Sequence, residues 1–281
     1  MRCIPLSRRG VGFLCRVFAG VIAGAITLGI APVAPASIIT FAQFQETATG
    51  SDANQFAYLN NGPAADADLV TDPSGVPGAA IPVTFNYLSL TSTLPADLQG
   101  QQNATVTLTS STTSAAATGF GGSIGDEPIT GDGGLTDVLS ITRDTPVAEG
   151  AGSRTNLLTM TFTGQLFGAV GGLTPQLGGD SPTFTVTYTS DFLSFTGSTQ
   201  RDYSMAFTSW TTTAADANNG LGLEIAADNY FESATAAGSA TFDSSAVSTV
   251  TIVPEAATSS SMIWALFPLL ACRRHVTENS R

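Results

Sequence analysis

Apolar and polar residues alternate with a period of two along the central part of the chain. Clear examples are Leu158-Met160-Phe162 and Tyr203-Met205-Phe207, where Thr, Ser or Ala separates the large side chains. This pattern is typical of half-buried antiparallel strands. No segment keeps a 3.6-residue period for three turns, so we expect no long helix. The other predicted strands centre on Val83 and Phe85, Val106 and Leu108, Phe184-Val186-Tyr188, Leu221-Leu223-Ile225, and Val250 and Ile252.

Turn-forming residues separate these segments and set the expected architecture. Asp66 to Gly78, which contains two prolines, is predicted to be a long exposed loop. Eight to ten strands separated by such turns predict one all-β domain over 37–252, an antiparallel β-sandwich of jelly-roll or Ig-like type. The predicted turns are Asn60-Asn61-Gly62, Gly131-Asp132-Gly133-Gly134, Gly171-Gly172, Gly178-Gly179-Asp180 and Asn218-Asn219-Gly220.

The N-terminus has the three parts of a secretory signal peptide. Arginines up to Arg16 precede an apolar run that ends at Ile30, and small residues follow at Ala34 and Ala36. These features predict a signal peptide over 1–36, cleaved between Ala36 and Ser37. The alternative is a membrane anchor that is retained, although the apolar run is short for a full span.

The C-terminus combines Val253-Pro254-Glu255, an apolar stretch to Ala271 and the pair Arg273-Arg274. This arrangement resembles the PEP-CTERM sorting signal of bacterial envelope proteins, with Ala256 where that family has a second Pro. The resemblance implies that an exosortase-type protease processes 253–281. It also implies that a short hydrophobic helix holds the chain transiently in the inner membrane. The domain over 37–252, which we call the body, would then be delivered to the outer surface or extracellular matrix. The alternative is an amphipathic or frayed tail that happens to follow Val-Pro-Glu.

Charge and composition narrow the functions of the body. Segment 37–252 has three Arg against 20 acidic residues, and it contains no Lys, His or Cys. Such a surface repels nucleic acid. A His base, a Lys nucleophile and thiolate or imidazole metal ligands are all missing. We therefore expect a protein that is not an enzyme and needs no cofactor.

Carboxylates in Gly-rich segments are the remaining candidates for chemistry. Asp126, Glu127, Asp132 and Asp137 could supply the oxygen ligands that Ca²⁺ prefers. The alternative is that they are solvated turn residues. For glycoside hydrolysis, two carboxyl groups must converge in one cleft, but Asp126 and Glu127 should point to opposite faces of a strand.

Rows of Thr at every second position form a further feature, at Thr105, Thr107 and Thr109, at Thr159, Thr161 and Thr163, and over 183–189. They predict the solvent face of a sheet, and no repeat is seen that would align them into an ice-binding array. The expected function is an exported structural or adhesive envelope protein, with surface polysaccharide as a partner. The alternatives are a Ca²⁺-dependent carbohydrate-binding module, an ice-binding protein and a glycoside hydrolase.

Overall fold

The computed structural model describes residues 37–47, 54–62, 66–90, 92–119, 122–131, 137–149, 152–213 and 222–250. Within these ranges, no helix is long and apolar enough to cross a membrane. The predicted signal peptide and sorting segment lie outside the described residues. The predicted site residues that fall outside are Ala34, Ala36, Asp132, Val253, Pro254, Glu255, Arg273 and Arg274.

The described residues form sixteen β-strands and one 3₁₀ turn, Ala96–Leu98. The all-β prediction is confirmed, but the predicted number of strands, eight to ten, is too low. The strands are β1 Ile39–Glu46, β2 Phe56–Asn60, β3 Ala67–Thr71, β4 Ile81–Tyr87, β5 Gln101–Thr112, β6 Ala117–Gly119, β7 Ile124–Ile129, β8 Asp137–Glu149, β9 Gly152–Phe162, β10 Gly164–Ala169, β11 Gln176–Asp180, β12 Val186–Thr189, β13 Leu193–Ser194, β14 Arg201–Thr212, β15 Ala234–Ser244 and β16 Ser248–Thr249.

Fourteen of these strands belong to one antiparallel sheet, and β13 pairs with β16 separately. The sheet runs in the order β12-β9-β8-β5-β3-β2-β15-β14-β11-β10-β7-β6. Between β5 and β15 lie two pairs of strands, β3 with β2 and β4 with β1, and the two pairs are placed end to end along β5 and β15. Residues 101–106 of β5 pair with β4, and residues 109–112 pair with β3. Likewise, 239–244 of β15 pair with β1, and 234–236 pair with β2.

The sheet folds back on itself so that its inner faces enclose the core. Only Thr163 separates β9 from β10, yet β9 pairs with β8 and β12 whereas β10 pairs with β7 and β11. The ring of Phe162 on β9 contacts that of Tyr203 on β14, with centroids 5.0 Å apart. This antiparallel architecture is consistent with a β-sandwich.

Three local predictions are wrong. The segment predicted as a loop contains β3, which buries Leu69 and Val70 and pairs with β2 and β5. Leu223 and Ile225 make only isolated bridges. Gly178 and Gly179, predicted to form a turn, lie inside β11. A Cβ on Gly179 would lie 2.6 Å from the carbonyl oxygen of Thr163, so the close approach of neighbouring strands explains this glycine.

Candidate functional site

An open polar surface crosses five neighbouring strands, β10, β11, β14, β15 and β1, and we call it the trough. Successive side chains of a strand point to opposite faces of the sheet, so residues paired across neighbouring strands lie on the same face and form a row. The first row is Phe167, Gln176, Ala206, Ser239 and Gln45. The second row is Gln165, Gly178, Ser204, Thr241 and Gln43.

Two adjoining depressions give the trough its shape. One has a volume of about 450 Å³ and lies over β15, between Gln43 and Gln45 on one side and Ser204 on the other. The other has a volume of about 300 Å³ and lies over the glycines of β11. Ser204 lines both depressions, so they are continuous. Small residues therefore form the floor, and longer side chains form the edges.

The edges carry uncharged hydrogen-bonding groups and one exposed aromatic ring. Gln43 and Gln45 are exposed, and the structure gives their side-chain amides no hydrogen-bond partner among the described residues. The amide of Gln165 is held in place because it donates to Asp126 Oδ2 at 2.9 Å. Phe167 is 40% exposed, and its cross-strand neighbours Asp126 and Gln176 are polar. This lining can accept and donate hydrogen bonds and can also contact an apolar surface.

A row of three carboxylates runs along one side of the trough, and two of them, Asp180 and Asp202, line its smaller depression. Asp202 on β14 lies directly opposite Asp180 on β11 and Asp243 on β15. Burial raises the pKa of Asp202, and the charges of Asp243 and Asp180 raise it further. Like charges facing each other across strands are destabilising. The described residues contain no group of three or more carboxylate, imidazole or thiolate side chains arranged to hold a metal ion.

The structure does not gather the predicted Ca²⁺ ligands on one side of the sheet. Along β7, Asp126 faces outward and Glu127 is fully buried, as predicted for neighbours on a strand. Asp137 begins β8, is 1% exposed and accepts the backbone N–H of Ser111 at 2.9 Å. Burial raises the pKa of Asp137 to about 6. Since Asp132 lies outside the described residues, the four-ligand site stays a prediction.

Glu127 joins three parts of the fold. Its carboxylate accepts the hydroxyl of Tyr58 on β2 at 2.6 Å and the backbone N–H of Phe231 at 3.1 Å. Burial raises the pKa of Glu127 to about 7, although both hydrogen bonds lower it. The residue is therefore a structural element of the core. The sequence signal for the burial of Glu127 is the alternation of outward and inward residues along 124–129.

Another depression, with a volume of about 700 Å³, lies between the end of β2 and the segment before β15. Its polar groups satisfy one another. The amide nitrogen of Asn60 donates to Asp228 Oδ1 at 3.2 Å and to the carbonyl of Phe231 at 3.1 Å. The side-chain Oδ1 of Asn60 accepts the N–H of Gly62 at 2.8 Å, which completes the predicted turn. These hydrogen bonds hold the loop before β15 in place. The depression therefore offers fewer polar groups for binding a ligand than the trough does.

A second outer face, over β5, β8, β9 and β12, presents Thr and Ser. The prediction that the Thr rows lie on the solvent face of a sheet is confirmed for these strands, and antiparallel register aligns the rows without a sequence repeat. The two longest rows are Thr107–Ser140–Thr159–Thr189 and Thr109–Val138–Thr161–Thr187.

Comparison with known proteins gives no family assignment. The chain matches no protein-family model, and neither a curated protein nor a solved structure matches it. Function is therefore inferred from the trough itself, from its open shape, its polar lining and its exposed Phe167.

Proposed function

We propose that this protein is an exported, non-enzymatic component of the bacterial cell envelope or extracellular matrix, and that its body is structural or adhesive. The trough is the observation that carries the proposal. It is an open surface across five strands, and its residues can bind an extended partner. Enzyme sites are usually enclosed clefts with convergent reactive groups.

The location of the two acids whose pKa values are raised furthest supports binding over catalysis. Glu127 and Asp137, whose pKa values are raised to about 7 and about 6, are buried within the sandwich. Glu127 is bonded to Tyr58 and Phe231, and Asp137 to Ser111. The hydroxyls of the trough, such as Ser204, have no His or Lys in the body to activate them.

The bounds of the strands are compatible with the proposed sorting route. Cleavage between Ala36 and Ser37 would leave β1 intact, since that strand begins at Ile39. The last described strand ends at Thr249, before Pro254, so an exosortase-type protease acting there would not cut the sheet. Within the sandwich class we propose a jelly-roll or Ig-like body, and the pairing of β1 with distant β15 supports such non-local connections.

Two measurements on protein recovered from cells test this proposal. Intact mass spectrometry should give a chain that starts at Ser37 and ends within 253–256. Sedimentation should find that chain with the surface polysaccharide fraction. A protein that retains Arg273 and Arg274, or that stays in the supernatant when the polysaccharide is pelleted, would contradict the sorting or the adhesive part respectively.

Ice binding is a second candidate because the Thr and Ser rows of β5, β8, β9 and β12 are aligned. The natural twist of a sheet works against a flat match to a crystal face. Inhibition of ice recrystallisation by the full chain, lost in Thr161→Lys, would favour this candidate. No inhibition by the unsubstituted protein would remove it.

Glycoside hydrolysis is favoured by one observation, the facing pair Asp180 and Asp202 beside the trough. Two carboxyl groups about 5 Å apart are the arrangement of retaining glycosidases. Release of new reducing ends from a polysaccharide, abolished by Asp202→Asn, would establish this activity and overturn the non-enzymatic proposal.

A further inference from the structure

We infer that the trough is the binding site for an uncharged polysaccharide chain, which lies across strands β10, β11, β14, β15 and β1. The inference rests on the proposed adhesive function and specifies its ligand. Three features of the trough carry it: an exposed aromatic ring at one end, uncharged hydrogen-bonding groups along its length, and carboxylates beside it.

Phe167 provides the apolar contact. Its side chain is 40% exposed on β10, and its cross-strand neighbours are Asp126 and Gln176. This exposure leaves a flat apolar surface open to a partner. Sugar rings have an apolar face of C–H groups, and an aromatic ring is a flat apolar surface of similar size. A sugar unit stacked on Phe167 would remove that ring from water.

Amides and hydroxyls provide the polar contacts. Gln43 and Gln45 lie at the β1 edge of the trough. Ser204 and Thr241 lie between that edge and Phe167. The side chain of each of these four residues offers both a donor and an acceptor. Sugar hydroxyls also donate and accept, so the two sets of groups are complementary. Neutral groups cost less to desolvate than charged ones, which suits a site that must bind many weakly interacting units.

The dimensions of the trough favour a polymer over a single sugar. Strands are spaced by about 4.8 Å, so the four intervals from β10 to β1 extend over roughly 19 Å. The floor is low along this path because Gly178, Ala206 and Ser239 project little from the sheet. An extended chain of several sugar units can therefore cross all five strands.

Charge selects against acidic polysaccharides. Asp180, Asp202 and Asp243 form a row beside the trough, and burial together with the charges of its two neighbours raises the pKa of Asp202. A uronate or sulfate group placed there would add to that repulsion. The body as a whole is also strongly acidic. The ligand is therefore a neutral polysaccharide.

The test is affinity electrophoresis of the full chain in gels containing β-glucan, galactomannan or xylan, and in gels containing polygalacturonate. At least one neutral polymer should retard the protein, and Phe167→Ala should weaken that interaction about tenfold. Val76→Ala is the matched control, because Val76 is 56% exposed and lines neither depression. It should leave the retardation unchanged. A thermal melt confirms that each variant is folded.

Equal retardation of Phe167→Ala and the unsubstituted protein, or stronger retardation by polygalacturonate than by any neutral polymer, would overturn the inference. Sedimentation with the native matrix separates this result from the proposed function. If Phe167→Ala sediments with the matrix as the unsubstituted protein does, the adhesive function stands and the trough is not its site. If neither sediments although a neutral polymer retards the protein through Phe167, the trough inference stands and the proposed function fails.

Discussion

Replacing Glu127 by Gln should change how the stability of the protein depends on pH. The carboxylate is fully buried, and its folded-state pKa is raised from 4.5 to about 7. A carboxyl group with a raised pKa favours folding in its protonated form. Its stabilising contribution is therefore fully present below about pH 4.5 and is lost as the pH rises through about 7.

The size of the effect follows from the pKa change. Each unit corresponds to about 1.4 kcal/mol, so ionisation of Glu127 costs roughly 3 kcal/mol above pH 7, of which about 2.5 kcal/mol develops between pH 5 and pH 8. Glutamine has nearly the same shape and does not ionise. Its carbonyl oxygen can accept the N–H of Phe231, and its amide can donate to the hydroxyl of Tyr58, which then accepts.

Urea unfolding of the full chain at pH 5 and pH 8 measures this difference. The free energy of unfolding of Glu127→Gln, relative to the unsubstituted protein, should be about 2.5 kcal/mol higher at pH 8 than at pH 5. Other acids titrate equally in both proteins and cancel. Tyr58→Phe is the companion variant. It removes a hydrogen bond that lowers the pKa of Glu127, so it should make the pH dependence steeper. Parallel pH profiles for Glu127→Gln and the unsubstituted protein would refute the reasoning.

Three further predictions concern other parts of the fold. Asp202→Asn should stabilise the protein by about 0.2–1 kcal/mol at pH 7, because it relieves repulsion from Asp180 and Asp243; urea unfolding that shows a loss instead would contradict this. Gly179→Ala should cost about 1–3 kcal/mol, since its Cβ would meet the Thr163 carbonyl at 2.6 Å, and an unchanged Tm would argue against such crowding. Excess Ca²⁺ should leave the Tm unchanged because Glu127 is already bonded to two donors, whereas a rise that Glu127→Gln abolishes would support the predicted Ca²⁺ site.

The sequence predicted the strands whose large side chains alternate, such as Tyr203-Met205-Phe207 in β14. It failed where small residues form a strand, because paired glycines in β11 carry the same local signal as a turn. The chain stays extended there because β11 pairs with β10 and β14, and the crowding around Gly179 explains why a glycine stands at that position. The trough could not be predicted from the sequence either. Gln45, Ser204 and Thr241 become neighbours through registers between strands that lie far apart in the chain, and no motif records those registers.

The pairing of β1 with β15 affects when the body can fold. Ile39 lies opposite Ser244, so one edge of the first strand of the body needs a partner that is synthesised about 200 residues later, whereas its other edge pairs with the nearby β4. Contacts of such long sequence separation form slowly, because the intervening chain must first be ordered. A chain that crosses a membrane from its N-terminus would therefore remain without a closed sheet until β15 has emerged. For the exported chain that we propose, such late closure would delay completion of the sheet until β15 has crossed the membrane.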